Sequence, residues 1–167
     1  MNLFLLRHGI AVERGTAGYE RDADRPLTSK GERRLGQIAD AMDAMGLTFD
    51  LILSSPYGRA RQTAEVVADA LGLKKKLEFS ETLTPDGDAQ ALVATLNKLE
   101  PQPENVLLVG HEPCLSELIS TLTSGDGRVA IDFKKGGLCK LEIETLRHGR
   151  CATLAWLLTP RQMGLMG

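Results

Sequence analysis

Short apolar runs alternate along this chain with longer segments whose apolar residues recur every three or four positions. Residues 2–6, NLFLL, form the first run, and an apolar stretch of that length reads as a strand covered on both faces. Further on, Ser29-Lys-Gly-Glu32 has the form of a capping box. Leu35, Ile38, Ala39, Met42 and Met45 then share one helical face, with Gly46 as the stop. The pattern repeats. DLILS at 50–54 predicts a second buried strand, followed by a helix from about Tyr57 to Leu71 with Ala60, Ala64, Val67, Ala68 and Leu71 inward and Gly72 as its C-cap. LEF at 77–79 predicts a short third strand, and Asp88 caps a predicted helix that runs through Leu99 and ends before Pro101. NVLLVG at 105–110 is a fourth buried strand, after which Pro113 begins a helix reaching about Thr123. Beyond it, GLCKLEIETL and CATLAWLL are separated only by RHGR, which predicts two antiparallel strands joined by a tight turn. Such alternation implies an α/β three-layer sandwich. Its central sheet is largely parallel with right-handed crossovers, and a C-terminal antiparallel hairpin is added to it.

Composition narrows the picture. At 167 residues and 18.1 kDa, residues 1–167 are expected to form a single domain. The 20 basic and 22 acidic residues leave a net charge of −2, so no overall field draws the protein to nucleic acid or an anionic membrane, and any anion site must be local. The apolar runs fall far short of a membrane span, and the N-terminus lacks the layout of a signal peptide. A cytoplasmic, monomeric protein is expected. Cys114, Cys139 and Cys151 form an odd set without a CxxC pair, which suits reduced core thiols rather than a disulfide frame or a zinc site. No metal and no cofactor are implied.

The tetrapeptide LRHG occurs twice, ending at Gly9 and at Gly149. The second copy falls in the predicted hairpin turn, where Gly149 supplies conformational freedom and Arg147 and His148 point to solvent. The first follows a parallel strand, and the carboxyl ends of such strands are where open α/β sheets bind ligands. Two other strand ends deliver chemistry to the same edge: SSPYGRARQTA at 54–64 brings Arg59 and Arg61 onto the start of a helix, and VGHEP brings His111. Two guanidiniums can hold phosphate oxygens by paired charge-assisted hydrogen bonds. An imidazole between them can attack phosphorus. Glu81, near the end of the third strand, is the one well-placed carboxylate for a general acid.

FLLRHG, SSPYGRARQTAEVV and LLVGHEP, in that order, resemble the histidine phosphatase superfamily, whose fold is phosphoglycerate-mutase-like. DRPLTSKG at 24–31, LTPDGD at 83–88 and the compact length resemble its small phosphohistidine phosphatases of the SixA type. The resemblance implies that His8 is the nucleophile and becomes phosphorylated, and that Arg7, Arg59 and His111 complete the phosphate pocket. It favours Arg59 over Arg61, because Arg59 opens the R-A-x-x-T pattern and Arg61 then reads as a helix-surface charge. Mutases of the superfamily carry Ser or Thr two positions after RHG and Asn three positions further on; here Ala11 and Arg14 stand there. Only about fifty residues separate Arg59 from His111, too few for the helical cap that larger relatives place over small sugar phosphates. The implied substrate is a phosphohistidine-bearing protein, such as a histidine phosphotransfer domain. A small phosphorylated substrate of a general phosphomonoesterase is the alternative within the enzyme class, and a non-catalytic phosphate-binding module the alternative outside it.

Overall fold

In a computed structural model, which describes residues 1–166, six strands form one mixed sheet: β1 (Asn2–Arg7), β2 (Leu51–Ser54), β3 (Leu77–Phe79), β4 (Asn105–Gly110), β5 (Leu138–Ile143) and β6 (Ala152–Leu158). Their order is β3-β2-β4-β1-β5-β6. The pairs β2–β3, β2–β4 and β1–β4 are parallel, and β1–β5 and β5–β6 are antiparallel. Five helices accompany them: α1 (Ser29–Ala44), α2 (Gly58–Ala70), α3 (Ala89–Asn97), α4 (Cys114–Ser124) and the short α5 (Pro160–Met163).

Side chains of the central strands alternate between two cores, as the pleat requires. Leu3 and Leu5 of β1 and Val106 and Leu108 of β4 pack with Leu92 and Leu96 of α3 and Leu118 and Leu122 of α4. Phe4, Leu6, Leu107 and Val109 point the other way, onto Leu35 and Met42 of α1 and Ala60 and Val67 of α2. The sheet is therefore covered on both faces, which explains why its inner strands read as unbroken apolar runs. No helix among the described residues is long and apolar enough to cross a membrane.

Several local expectations are corrected. The cap of α1 is Thr28, not Ser29: its hydroxyl accepts from the Gly31 amide at 3.0 Å, so the predicted box is displaced by one residue. The β5–β6 connection is not a tight turn but the eight residues 144–151, held from outside by Asn97 Nδ2 donating to the Leu146 carbonyl and by the Cys151 amide donating to that of Leu122. Only Cys139 is a fully buried thiol, pushed up to about 12 by burial, whereas Cys114 and Cys151 are half-buried. The short helix α5 and three 3₁₀ turns had no periodic signal to announce them, since each is four residues or fewer.

Candidate active site

Parallel pairing in register sets the carboxyl ends of β1, β4 and β2 side by side. Arg7 lies opposite Gly110, and Val109 opposite Ser54. The next residues, His8, His111 and Ser55, therefore emerge at one edge. The Arg7–His8 backbone is held from two sides: the His8 amide donates to the Gly110 carbonyl, while Gly136 N–H reaches the carbonyls of Arg7 and His8 at 3.0 and 3.2 Å. Gly136 has φ +77° and a Cβ there would crowd Ile38, so only glycine fits this close approach.

The imidazole of His8 is 6% exposed. Its Nδ1 lies 2.8 Å from the Gly9 carbonyl oxygen, and Arg59 Nε approaches its Nε2 at 3.3 Å. A carbonyl can only accept and a guanidinium can only donate, so both neighbours demand the same tautomer: the proton sits on Nδ1 and the lone pair on Nε2. The ring of His111 lies 5.1 Å from that of His8, centroid to centroid. His111 Nε2 is 2.9 Å from Ser55 Oγ, which also accepts from the Tyr57 amide. With the Ser55 hydroxyl donating to Nε2, the His111 proton stands on Nδ1; that nitrogen is buried and has no protein partner. Arg7 Nη1 donates to the Phe133 carbonyl at 2.7 Å, while its buried Nε is likewise unpartnered. Two buried, unpartnered nitrogens, one of them on a guanidinium, fit an anion better than a neutral ligand.

Arg59 is placed by a residue that the sequence did not single out. Its Nη1 and Nη2 donate to the backbone oxygen and the carboxylate of Asp22 at 2.8 and 2.9 Å, and Asp22 is itself gripped by Arg25 at 2.8 Å. Tyr57 closes the group, its ring 5.6 Å below the guanidinium and 5.5 Å from His111. Thr63, the last letter of R-A-x-x-T, accepts from the Gly9 amide and donates to the Arg59 carbonyl, tying α2 to the loop that carries His8. Asp22 lies 37 residues from its partner, with no periodicity to link them. Ser55 and the Phe133 carbonyl were equally silent.

Burial holds His8 well below the ordinary imidazole range, with the charges of His111, Arg59 and Arg7 acting the same way against the Gly9 hydrogen bond. Burial first, then Arg59, lowers His111 to about 3. Both shifts favour the neutral rings in the fold. In the unfolded chain they take up protons near pH 6.5. Below that pH the unfolded state therefore binds more protons and stability falls with pH, each such histidine contributing about 1.4 kcal/mol per pH unit. We expect the urea midpoint to drop from pH 6.5 to 4.5 in the wild type and to drop less steeply in His111→Asn; identical slopes would contradict a neutral His111.

The structure brings Arg7, His8, Arg59 and His111 together. Arg61 is exposed and faces Glu65 at 3.8 Å on the same helix. Glu81 is exposed at the start of the 3₁₀ turn after β3, with no polar side-chain contact among the described residues; its neighbour Thr82 lines a cavity of about 180 Å³ that His111 also lines. His148 is exposed, as expected of the second LRHG, yet it stands on the wall of that same cavity between α3 and α4. No cluster of three or more metal-ligating side chains occurs among the described residues.

Comparison with known proteins gives the family. The model of the histidine phosphatase superfamily (branch 1) matches residues 3–84. The phosphohistidine phosphatase SixA of Escherichia coli is 32% identical over 161 residues, covering 96% of this chain and 94% of that protein. An uncharacterized protein of Picosynechococcus is 41% identical over 142 residues, 84% of each chain. The structure of the protein histidine phosphatase SixA complexed with tungstate superposes with a TM-score of 0.83 at 28% identity, over 96% of this chain and 98% of that one. Similarity over nearly the whole length, on the fold that carries these motifs, establishes that this chain belongs to the histidine phosphatase superfamily.

Proposed function

We propose that the protein is a phosphohistidine phosphatase acting on a phosphorylated histidine of a protein, through a covalent intermediate on His8. The observation that carries this reading is the locked tautomer of His8, whose Nε2 lone pair faces Arg59 while Nδ1–H is fixed on Gly9. That lone pair attacks phosphorus in line. The new N–P bond forms as the bond to the substrate imidazole breaks, and the electron pair leaves with that imidazole; water then attacks the phosphohistidine and returns the pair to Nε2. Arg7, Arg59 and the Nδ1–H of His111 are assigned to the equatorial oxygens, where charge concentrates in the transition state. Tungstate, a phosphate mimic, is bound by the SixA structure that resembles this chain, which supports an oxyanion site here.

A macromolecular substrate is supported by what lies between Arg59 and His111. Helix α3 packs Leu92, Val93 and Leu96 into the core beside the sheet, so it is not available as a cap. Ala11 and Arg14 stand where mutases need Ser or Thr and Asn. The direct test compares a phosphohistidine substrate with an aryl and an alkyl phosphate. The phosphohistidine should be hydrolysed with the highest kcat/KM, and a preference for the alkyl ester would overturn the reading.

Glu81→Gln separates leaving groups. Imidazole, with a pKa of about 6.5 once protonated, departs without much help, whereas an alkoxide depends on a general acid by roughly a hundredfold. Single-turnover rates should fall less than threefold for phosphohistidine but about a hundredfold for an alkyl phosphate. Equal large losses would make Glu81 a positioning or water-activating group instead.

A further inference from the structure

The phosphate pocket has a neighbour that phosphate binding does not require. Arg7 forms the edge of a surface cleft of about 560 Å³ that continues past Arg34, Lys135 and Arg161. A second cleft, of about 410 Å³, adjoins it, shares Arg34, Pro160 and Arg161, and adds Lys30 and Arg33. Neither cleft has a carboxylate in its lining. Lys134, also in the first cleft, is paired with Asp132, but none of Lys30, Arg33, Arg34, Lys135 and Arg161 forms an ion pair among the described residues. The cations come from three separate segments: the first turns of α1, the loop after Phe133, and α5.

Two features argue that folding does not explain this concentration. Lys30 stands in the first turn of α1, where the helix dipole disfavours a cation by some tenths of a kcal/mol, and Arg33 and Arg34 follow it in the next turn. The whole chain, moreover, carries a net charge of −2, so a basic face contiguous with the catalytic edge is a local departure from the average. A single phosphoryl group is already provided for by Arg7, Arg59 and His111. Five further cations spread across two clefts exceed what one small anion can engage, and Ile10 and Pro160 give the first cleft an apolar floor suited to a polypeptide. We infer that this face docks acidic residues flanking the phosphohistidine of the substrate protein, so that charge complementarity brings that histidine to the edge where Arg7 and His8 stand. Such complementarity acts on encounter and on specificity more than on chemistry.

The inference rests on the proposed phosphohistidine activity, and one experiment separates the two. Two synthetic peptides of equal length are phosphorylated on a single histidine with phosphoramidate, one flanked by Asp and Glu, the other by Asn and Gln. Wild-type protein should hydrolyse the acidic peptide with at least a tenfold higher kcat/KM at low ionic strength, through KM, and the preference should collapse in 0.5 M salt. The double variant R34E/R161E should lose or invert the preference while hydrolysing the neutral peptide at the wild-type rate; R34Q/R161Q should fall between. Equal treatment of both peptides by the wild type, or a preference that survives charge reversal, overturns the docking face. Charge-sensitive binding to phosphatidylglycerol vesicles with no peptide preference would assign the face to a membrane and also overturn it. Hydrolysis of neither peptide, with an aryl phosphate still cleaved, would instead remove the phosphohistidine reading and the docking face with it.

Discussion

His8→Ala is expected to abolish turnover, by more than about a thousandfold, because it removes the group assigned to form the bond to phosphorus. Arg7 and Arg59 are cations without a lone pair, and His111, whose Nδ1–H is assigned to a phosphoryl oxygen, carries its lone pair on Nε2, which is turned to Ser55. The variant should also fail to accumulate the acid-labile phosphoenzyme that brief mixing with labelled substrate traps in the wild type. His8→Asn, closer in shape, guards against a folding defect, since the buried ring packs against His111. His148→Ala is the internal comparison. That ring is exposed and shares a cavity wall with His111 but stands outside the four-residue cluster, so activity should stay within about threefold of wild type. Comparable losses in folded His8 and His148 variants would refute the assignment of the nucleophile.

Arg59→Ala should cost about 10²–10³ in kcat, the loss typical of removing one preorganised donor from a developing oxyanion, or about 2.7–4 kcal/mol. Arg59→Lys should lose nearly as much. A guanidinium reaches the Asp22 carboxylate, the Asp22 carbonyl and His8 Nε2 at once, and an ammonium on a flexible stem cannot hold that fork. Folding should survive, because Asp22 keeps its ion pair with Arg25 when Arg59 is removed. Asp22→Asn acts on the pocket through Arg59, while also weakening the pair with Arg25, and should lose about tenfold, or about 1.4 kcal/mol, with weaker tungstate inhibition as the sign that the pocket itself has loosened. Wild-type activity in Arg59→Lys would reduce Arg59 to a simple point charge.

Much of this protein is legible along the chain. The apolar runs at 2–6, 50–54 and 105–110 coincide with strands, because a strand covered on both faces has no polar side to interrupt it, whereas 77–79 is an exposed edge strand that carries Glu78. The helices α1 to α4 were readable for the complementary reason: each lies on the sheet with one face, and the 3.6-residue period records that face. Arg7, His8, Arg59 and His111 could be set at one edge because parallel strands deliver their carboxyl ends to the same side. Boundaries were less secure. Thr28 and Ser29 are both competent caps in sequence, and the choice falls to Thr28, whose hydroxyl also reaches the Ile10 carbonyl.

What the chain alone determined was the layering of the fold and which polar groups stand at the carboxyl ends of the parallel strands, since both depend on local pattern and on the residues that follow each apolar run. The tertiary structure decided everything that depends on long-range register. It brought Asp22 to Arg59, Ser55 to His111, Gly9 to the amphoteric hydroxyl of Thr63, and the Phe133 carbonyl to Arg7. It also settled which nitrogen of His8 bears the proton and gathered cations from three segments into one face. A hydrogen bond or a cluster of charges between residues tens or a hundred positions apart leaves no periodic trace, because it is fixed by how strands pair and helices pack, not by any spacing along the chain.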